Sequence, residues 1–375
     1  MNVAFYSPLK PPTSPVPSGD RRVARLLVAA LEQAGHQVEL ASIFRSREPA
    51  GDAARQQRLA EVGARLAERL IRRYKAAGGQ NRPDVWFTYH LYYKAPDWIG
   101  PIVARELDIP YVAAEASFAP KRAGGPWDVG HRAAGAAIAG ARLIFGLNTV
   151  NATCVMPLLG PGARYVPLKP FLEATPDFAE TRETVRRGLS RALDMDENCV
   201  WLLAVAMMRD DAKLQSYRLL AEALRKLPNG GWRLLIVGGG PAEAGVRALF
   251  SGIDAVFTGQ KTPGELDQYY RAADIFVWPA IEEAYGMAIL EAAARGLPVV
   301  AGDAGGVGDI VRHGETGLLA ETGDAREFAD AVQNLLDDPG LRAKMGAAAR
   351  RVTSAEHGLD AAARLLDLEL RRVVA

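Results

Sequence analysis

Apolar and polar positions follow two rhythms that alternate along this chain. Short runs of consecutive apolar residues read as strands buried on both faces, and the stretches between them repeat at helical spacing. In the first half the strand-like runs are Val3–Tyr6, Val38–Leu40, Val85–Thr88, Tyr111–Ala114 and Leu143–Gly146. The stripe Val23, Leu27, Ala30 and Leu31 predicts a helix that starts after Ser18 and stops at Gly35. A longer helix is predicted over about 52–76, with Leu59, Val62, Leu66, Leu70 and Tyr74 on one side.

The segment Pro167–Pro176, PLKPFLEATP, contains three prolines and interrupts the rhythm, which places a domain boundary there. The alternation then restarts with Val200–Ala206, Leu234–Val237, Ala255–Thr258, Ile275–Trp278 and Val299–Ala301 as strands. Helices are predicted to begin near Lys213, Pro241, Pro263 and Gly286, and leucines 365, 366, 368 and 370 mark a closing helix over about 357–374. Strands alternating with helices predict an α/β fold: two Rossmann-like, doubly wound domains with parallel sheets. The expected domains are 1–168 and 169–356, with a ligand at the carboxyl ends of the strands in a cleft between them.

Length and composition fit two cores, at 375 residues and 49% apolar. With 45 basic against 44 acidic residues, the chain lacks the one-signed field of a nucleic-acid binder, and no such partner is expected. Cys154 and Cys199 have neither a disulfide framework nor metal-ligand spacing, which points to a reducing, cytoplasmic setting without a metal. The opening MNVAFYSPLK reads as a strand rather than a signal peptide, and no run of 18 apolar residues offers a membrane span. Residues 51–82 hold eight basic and three acidic side chains. Two readings stand for them: peripheral contact with the inner face of a membrane, or an apolar stripe packed on the first sheet with its arginines in water.

The chemistry is concentrated in Pro279–Ala301, PAIEEAYGMAILEAAARGLPVVA. A helix starting at Gly286 offers unpaired backbone amides and a partial positive charge, which suit a diphosphate. Gly286 lets a ligand approach the backbone closely, and the amides of Gly286, Met287 and Ala288 are the expected phosphate contacts. Carboxylates on either flank suit the vicinal hydroxyls of a ribose and a hexose. Glu291 is one of them, and either Glu282 or Glu283 is the other. Arg209 and Lys213, two cations at the carboxyl end of a strand, are placed to face a phosphate and to offset its negative charge. Ser18 is expected as an N-cap, and Gly19 beside it allows a phosphate to come close to the backbone.

Glu283, seven intervening residues and Glu291 resemble the signature of family-4 retaining glycosyltransferases of the GT-B fold. WRLLIVGGG at 232–240, FTG at 257–259, YRAADIFVWP at 270–279 and GGVGDIVRHGETGLL at 305–319 follow in that family's order. The resemblance is strong over about 195–335 and weaker before it. It selects Glu283 over Glu282 and implies a nucleoside diphosphate sugar donor, transfer to an acceptor hydroxyl with retention, and no separate cofactor. It also implies that the closing helix, 357–375, returns to the first domain. Rival readings of the same architecture are a sugar-nucleotide epimerase, a phosphorylase and a non-catalytic sugar-nucleotide binder. The acceptor class stays open between glycan, lipid and small metabolite.

The chain departs from the family in three places. Arg209 and Lys213 stand one residue closer together than usual, and the glycine loop has one glycine where two are common. On the acceptor side His90 matches an expected histidine, but Glu115 stands where a second is usual. Glu115 then either orients the acceptor or stabilises positive charge in the transition state. Lys121 and Arg122 follow it and fit an anionic acceptor; each of these groups also reads as a solvated loop charge. His131, His313 and His357 read as structural or exposed, Asp194 and Asp196 as turn residues, and the glycines 238–240 as no dinucleotide fingerprint.

Overall fold

A computed structural model of the protein describes residues 1–16, 18–77, 82–173 and 180–375. The chain divides into two compact units, Met1–Glu173 with Leu359–Ala375, and Ala174–Gly358. The last three residues of the proline-rich interruption, and residues 78–81 of the basic segment, lie outside the described residues.

In the first unit the strands are β1 (Asn2–Tyr6), β2 (Gln37–Ser42), β3 (Val85–Leu91), β4 (Tyr111–Ala116), β5 (Leu143–Gly146) and β6 (Arg164–Pro167). The helices are α1 (Gly19–Gln33), α2 (Ala53–Ala76), α3 (Gly100–Leu107), α4 (Asp128–Ala139) and α5 (Ala152–Val155). All strand pairs are parallel, in the order β2-β1-β3-β4-β5-β6. The chain winds outward from β1 to β2, then crosses to β3, so its direction reverses between β1 and β3. That reversal opens a crevice at the carboxyl ends of the strands. Phe5, Phe87 and Phe145 stack across one face of the sheet at 5.7 and 6.2 Å. The central strands are almost wholly buried, as helices on both faces require.

Helix α2 buries Leu70 and Tyr74 and half-buries Leu59, Val62 and Leu66, while Arg55, Arg58, Arg65, Arg69 and Arg72 stay in water. Gly63 makes this possible, since a side chain there would collide with Trp98. The apolar stripe thus packs inward, and no described helix is long and apolar enough to cross a membrane. The closing helix, Leu359–Val374, packs on α1: Leu366 and Leu370 are buried, and Arg164 pairs with Glu369. Strand β6 was not expected. It is an edge strand of four residues ending on Pro167, a position where a missing N–H costs no ladder bond.

The second unit opens with α6 (Arg182–Leu193) and continues β7 (Val200–Val205), α7 (Ala212–Leu224), β8 (Trp232–Val237), α8 (Glu243–Leu249) and β9 (Ala255–Phe257). Then come α9 (Pro263–Ala272), β10 (Ile275–Trp278), α10 (Met287–Ala294), β11 (Val299–Gly302), β12 (Gly317–Ala320), α11 (Ala325–Asp337) and α12 (Pro339–Glu356). This sheet too is parallel throughout, in the order β12-β11-β10-β7-β8-β9, and it reverses between β7 and β10. Sequence patterning did not set out β12, α6, α11 or α12. Strand β12 starts at Gly317, where a Cβ would strike the Val299 carbonyl on β11. Helix α11 is capped by Asp324, which accepts from the amides of Arg326 and Glu327 at 2.8 and 3.0 Å, and it buries Phe328, Val332 and Leu335.

Candidate functional site

The reversal point of the second sheet is built from the loop after β10 and the start of α7. Residues 279–286 leave β10 on a contorted path: Ala280, Glu282 and Gly286 have φ of +56°, +53° and +71°. Left-handed backbone at the two non-glycine residues costs about 1–3 kcal/mol each and persists only where surrounding structure enforces it. Gly302 and Gly305 supply that enforcement, since a side chain on either would collide with the carbonyls of Pro279 and Glu283. The Ile281 amide donates to Ser216 Oγ on α7 at 3.0 Å, which ties the loop down.

This path delivers the first turn of α10 with no side-chain cap. The amides of Met287 and Ala288 have no intrahelical acceptor, so the helix presents donors and the positive end of its dipole. Gly286 occupies the N-cap in the left-handed conformation that glycine adopts without strain. Glu291, in the second turn, is 9% exposed, and Tyr270 Oη donates to it at 2.8 Å.

Glu283 and Lys213 form an ion pair that bridges the reversal point, from the β10 loop to the first turn of α7. Trp278 sits beside both: its Nε1 lies 3.4 Å from Glu283 Oε2, and the Lys213 ammonium is 5.4 Å from its ring centre. The shortened spacing after Arg209 therefore still brings Lys213 to the β10 loop. Asp211 caps α7 by accepting from the Lys213 amide at 2.9 Å, and its other oxygen takes Arg209 Nε at 3.0 Å. The Arg209 pair is half-exposed, so solvent screens it and little energy is needed to release the guanidinium. The glycines 238–240 join neighbouring strand ends: side chains on Gly238 or Gly240 would strike the carbonyls of Ala206 and Met208.

At the corresponding reversal of the first sheet, between β1 and β3, the side chains of Asp20, His90 and Glu115 meet. His90 Nδ1 is 3.1 Å from Asp20 Oδ1 and 3.7 Å from Glu115 Oε2. His90 and Glu115 are both left-handed, with φ of +64° and +57°, at the ends of β3 and β4. Burial alone would lower the His90 pKa, but the Glu115 charge and the hydrogen bond and charge of Asp20 outweigh it and push it up to about 9. His90 is thus an imidazolium at neutral pH, clasped by two carboxylates. At 19% and 5% exposure, His90 and Glu115 are not solvated loop charges, which corrects that reading. Ser18 caps α1 by accepting from the Arg21 amide at 3.2 Å. Gly19 is exposed, and a Cβ on it would meet nothing within 4 Å, so nothing in this unit demands a glycine there.

Lys121 is exposed, whereas Arg122 lies over the rings of Tyr93 and Trp127. His131 is buried against Phe118, His313 Nδ1 accepts from the Leu319 amide, and His357 is buried at the end of α12. Asp194 is the left-handed cap of α6, and Asp196 accepts from the Asn198 amide, as turn residues do. Among the described residues, one acidic trio stands close enough to share a cation: the exposed Glu321, Asp324 and Glu327. Asp324 and Glu327 already accept backbone amides. Asp20, Tyr270 and Trp278 were not singled out for these roles. Only Asp20 carried a signal, through its place beside Gly19.

Residues 204–352 match the family model described as glycosyl transferases group 1. The sulfoquinovosyl transferase of Arabidopsis thaliana is 40% identical over 142 residues, 37% of this chain and 28% of that protein. The D-inositol 3-phosphate glycosyltransferase of Rhodococcus jostii is 37% identical over 144 residues, 36% of this chain and 32% of that protein. The chain thus spans less than a third of the length of these curated relatives. Over the whole chain, the sucrose-phosphate synthase of Thermosynechococcus elongatus superposes with a TM-score of 0.74 at 20% identity, covering 99% of this chain and 98% of that one. Anabaena HepE in complex with UDP superposes with a TM-score of 0.75 at 16% identity, covering 99% and 100%. These likenesses show the fold, which is GT-B.

Proposed function

We propose that this chain, whose residues 204–352 carry a group 1 glycosyl transferase domain within a GT-B fold, moves a sugar from a nucleoside diphosphate sugar to an acceptor hydroxyl with retention of configuration. The observation that carries the reading is the bare first turn of α10, flanked by Glu283 and Glu291. Solved complexes of HepE with UDP and with UDP-glucose support a nucleotide-sugar donor.

In this reading Glu291 accepts from the ribose hydroxyls, and the amides of Gly286, Met287 and Ala288 hold the diphosphate. Glu283 accepts from a hydroxyl of the sugar and keeps Lys213 aimed at the reversal point, where Lys213 and Arg209 stabilise the departing charge. The bond from the anomeric carbon to the diphosphate oxygen breaks as the bond to the acceptor oxygen forms on the same face. The acceptor proton passes to the departing phosphate oxygen, so no strong protein base is needed, and these cations serve the role a metal would otherwise fill. His90 and Glu115, in the first unit, are the proposed acceptor-side groups.

A thermal-shift series with nucleoside diphosphate sugars, followed by proton NMR of the product, tests the reading. A matching donor at a hundred times its Kd stabilises the fold by about 2.7 kcal/mol and raises the midpoint. With acceptor present, the product then has the donor's anomeric configuration. Turnover of donor alone to an epimer, an inverted product, or tight donor binding without turnover on any acceptor would each overturn it.

A further inference from the structure

At the reversal of the first sheet, both carboxylates around His90 face the same ring nitrogen. Nδ1 lies 3.1 Å from Asp20 Oδ1 and 3.7 Å from Glu115 Oε2, and it is buried, whereas the side chain keeps 19% of its surface. With Nδ1 committed inward, Nε2 is the nitrogen left for a substrate. His90 and Glu115 both hold left-handed backbone at the ends of β3 and β4, a strain that persists only where surrounding structure enforces it.

Asp20 is in the first turn of α1, where a carboxylate commonly complements the helix dipole. That duty does not account for its direction. Ser18 already caps the helix by accepting from the Arg21 amide, and the Asp20 carboxylate turns to His90 instead. Burial alone would raise the Asp20 pKa, but its contact with His90, the charge of His90 and that of Lys10 lower it. Asp20 and His90 thus hold each other charged. The groups around the ring come from four elements. They are Asp20 on α1, Lys10 in the loop after β1, Glu115 at the end of β4, and the tyrosines flanking His90 on β3. Of these, Tyr89 donates to Glu115, and the Tyr92 ring is 5.1 Å from that of His90 while its hydroxyl meets Arg47.

We infer that Asp20 is a positioning residue for the transfer step: with Glu115 it holds the His90 ring with Nδ1 turned inward and presents Nε2–H to a substrate oxygen. This rests on the transferase reading and adds a residue to it. A ring held in this way is a cationic donor and not a base, in keeping with the acceptor proton passing to the departing phosphate oxygen. The sign of the pH dependence follows. The raised pKa of His90 keeps the imidazolium below about 9, and the donor's charge is lost as pH rises through that value. Without the Asp20 charge, Glu115 alone supports it, so the midpoint falls by about one pH unit or more.

Asp20→Asn tests this, because asparagine keeps the shape and one oxygen and removes only the charge. His90 is titrated by NMR through its Cε1 resonance, identified by its loss in His90→Gln. The wild type is expected to titrate at about 9, and Asp20→Asn about one pH unit or more below it. The pH profile of kcat/KM reports groups of the free enzyme. It is measured with the donor that raises the thermal midpoint, in the NMR product assay. Its alkaline limb is expected to move down with the His90 midpoint, which a purely structural carboxylate would not produce. Glu115→Gln is expected to act in the same direction. A His90 midpoint equal in wild type and Asp20→Asn, or an alkaline limb that stays in place, overturns the inference. Turnover with an unmoved limb removes only the role of Asp20; a wild type that turns over no donor at any pH removes the transferase reading, and this inference with it.

Discussion

Glu291→Ala is expected to weaken binding of the nucleoside diphosphate that stabilises the wild type by about a hundredfold. A carboxylate accepting two ribose hydroxyls makes charge-assisted bonds of about 1.5–3 kcal/mol each, and about 2.7 kcal/mol is a factor of a hundred. The side chain is buried and already receives the Tyr270 hydroxyl, so it is set in place before any ligand arrives. Alanine also removes the Tyr270 acceptor, and Glu291→Gln separates the two effects. Glutamine keeps an acceptor for Tyr270 but lacks the charge, so the fold is retained while the affinity falls. Calorimetry on folded protein reads both; unchanged affinity in both variants removes Glu291 from the donor site.

Lys213→Ala is expected to lower kcat by about 10²–10³, the usual size of one lost electrostatic contact to the developing charge, while donor affinity changes much less. The geometry makes this side chain more than a surface cation. It crosses the reversal of the second sheet, pairs with Glu283 and lies over Trp278. Alanine leaves Glu283 without its cation, so the double variant with Glu283→Ala is needed to read the coupling. Two residues acting as one unit give a double variant little worse than the more damaging single. An unaltered kcat with a lowered thermal midpoint would make the pair a structural tie. Arg209→Ala has the smaller effect, because its guanidinium rests half-exposed on Asp211.

Much of this architecture was legible in the order of residues because parallel strands are covered on both faces. Ile275–Trp278 and Leu143–Gly146 are four-residue runs without a polar interruption, and their bounds match the expectation. Ser18 and Gly286 likewise announced the starts of α1 and α10 through side-chain chemistry and conformational freedom. Strands β6 and β12 escaped because four residues at or near a sheet edge leave no period to detect, and their glycine and proline read as loop signals. Helix α11 carries both signals in its letters, the Asp324 cap and the stripe Phe328, Val332 and Leu335.

Within the site, the residue types were readable and their partners were not. Glu283 and Lys213 lie seventy positions apart and meet only because the sheet reverses between β7 and β10. Asp20 and His90 meet through the same device in the first unit. Nothing in the letters around Glu115 foretells a left-handed backbone or a buried carboxylate; both follow from the end of β4 turning beside His90.

The central claim is that the tip of α10 holds the donor diphosphate, and amide hydrogen exchange at Met287 and Ala288 tests it most directly. With a stabilising nucleoside diphosphate bound, both amides gain an acceptor, and their exchange is expected to slow by about tenfold or more. A nucleotide that binds by calorimetry yet leaves these two amides exchanging at the free protein's rate would contradict the account.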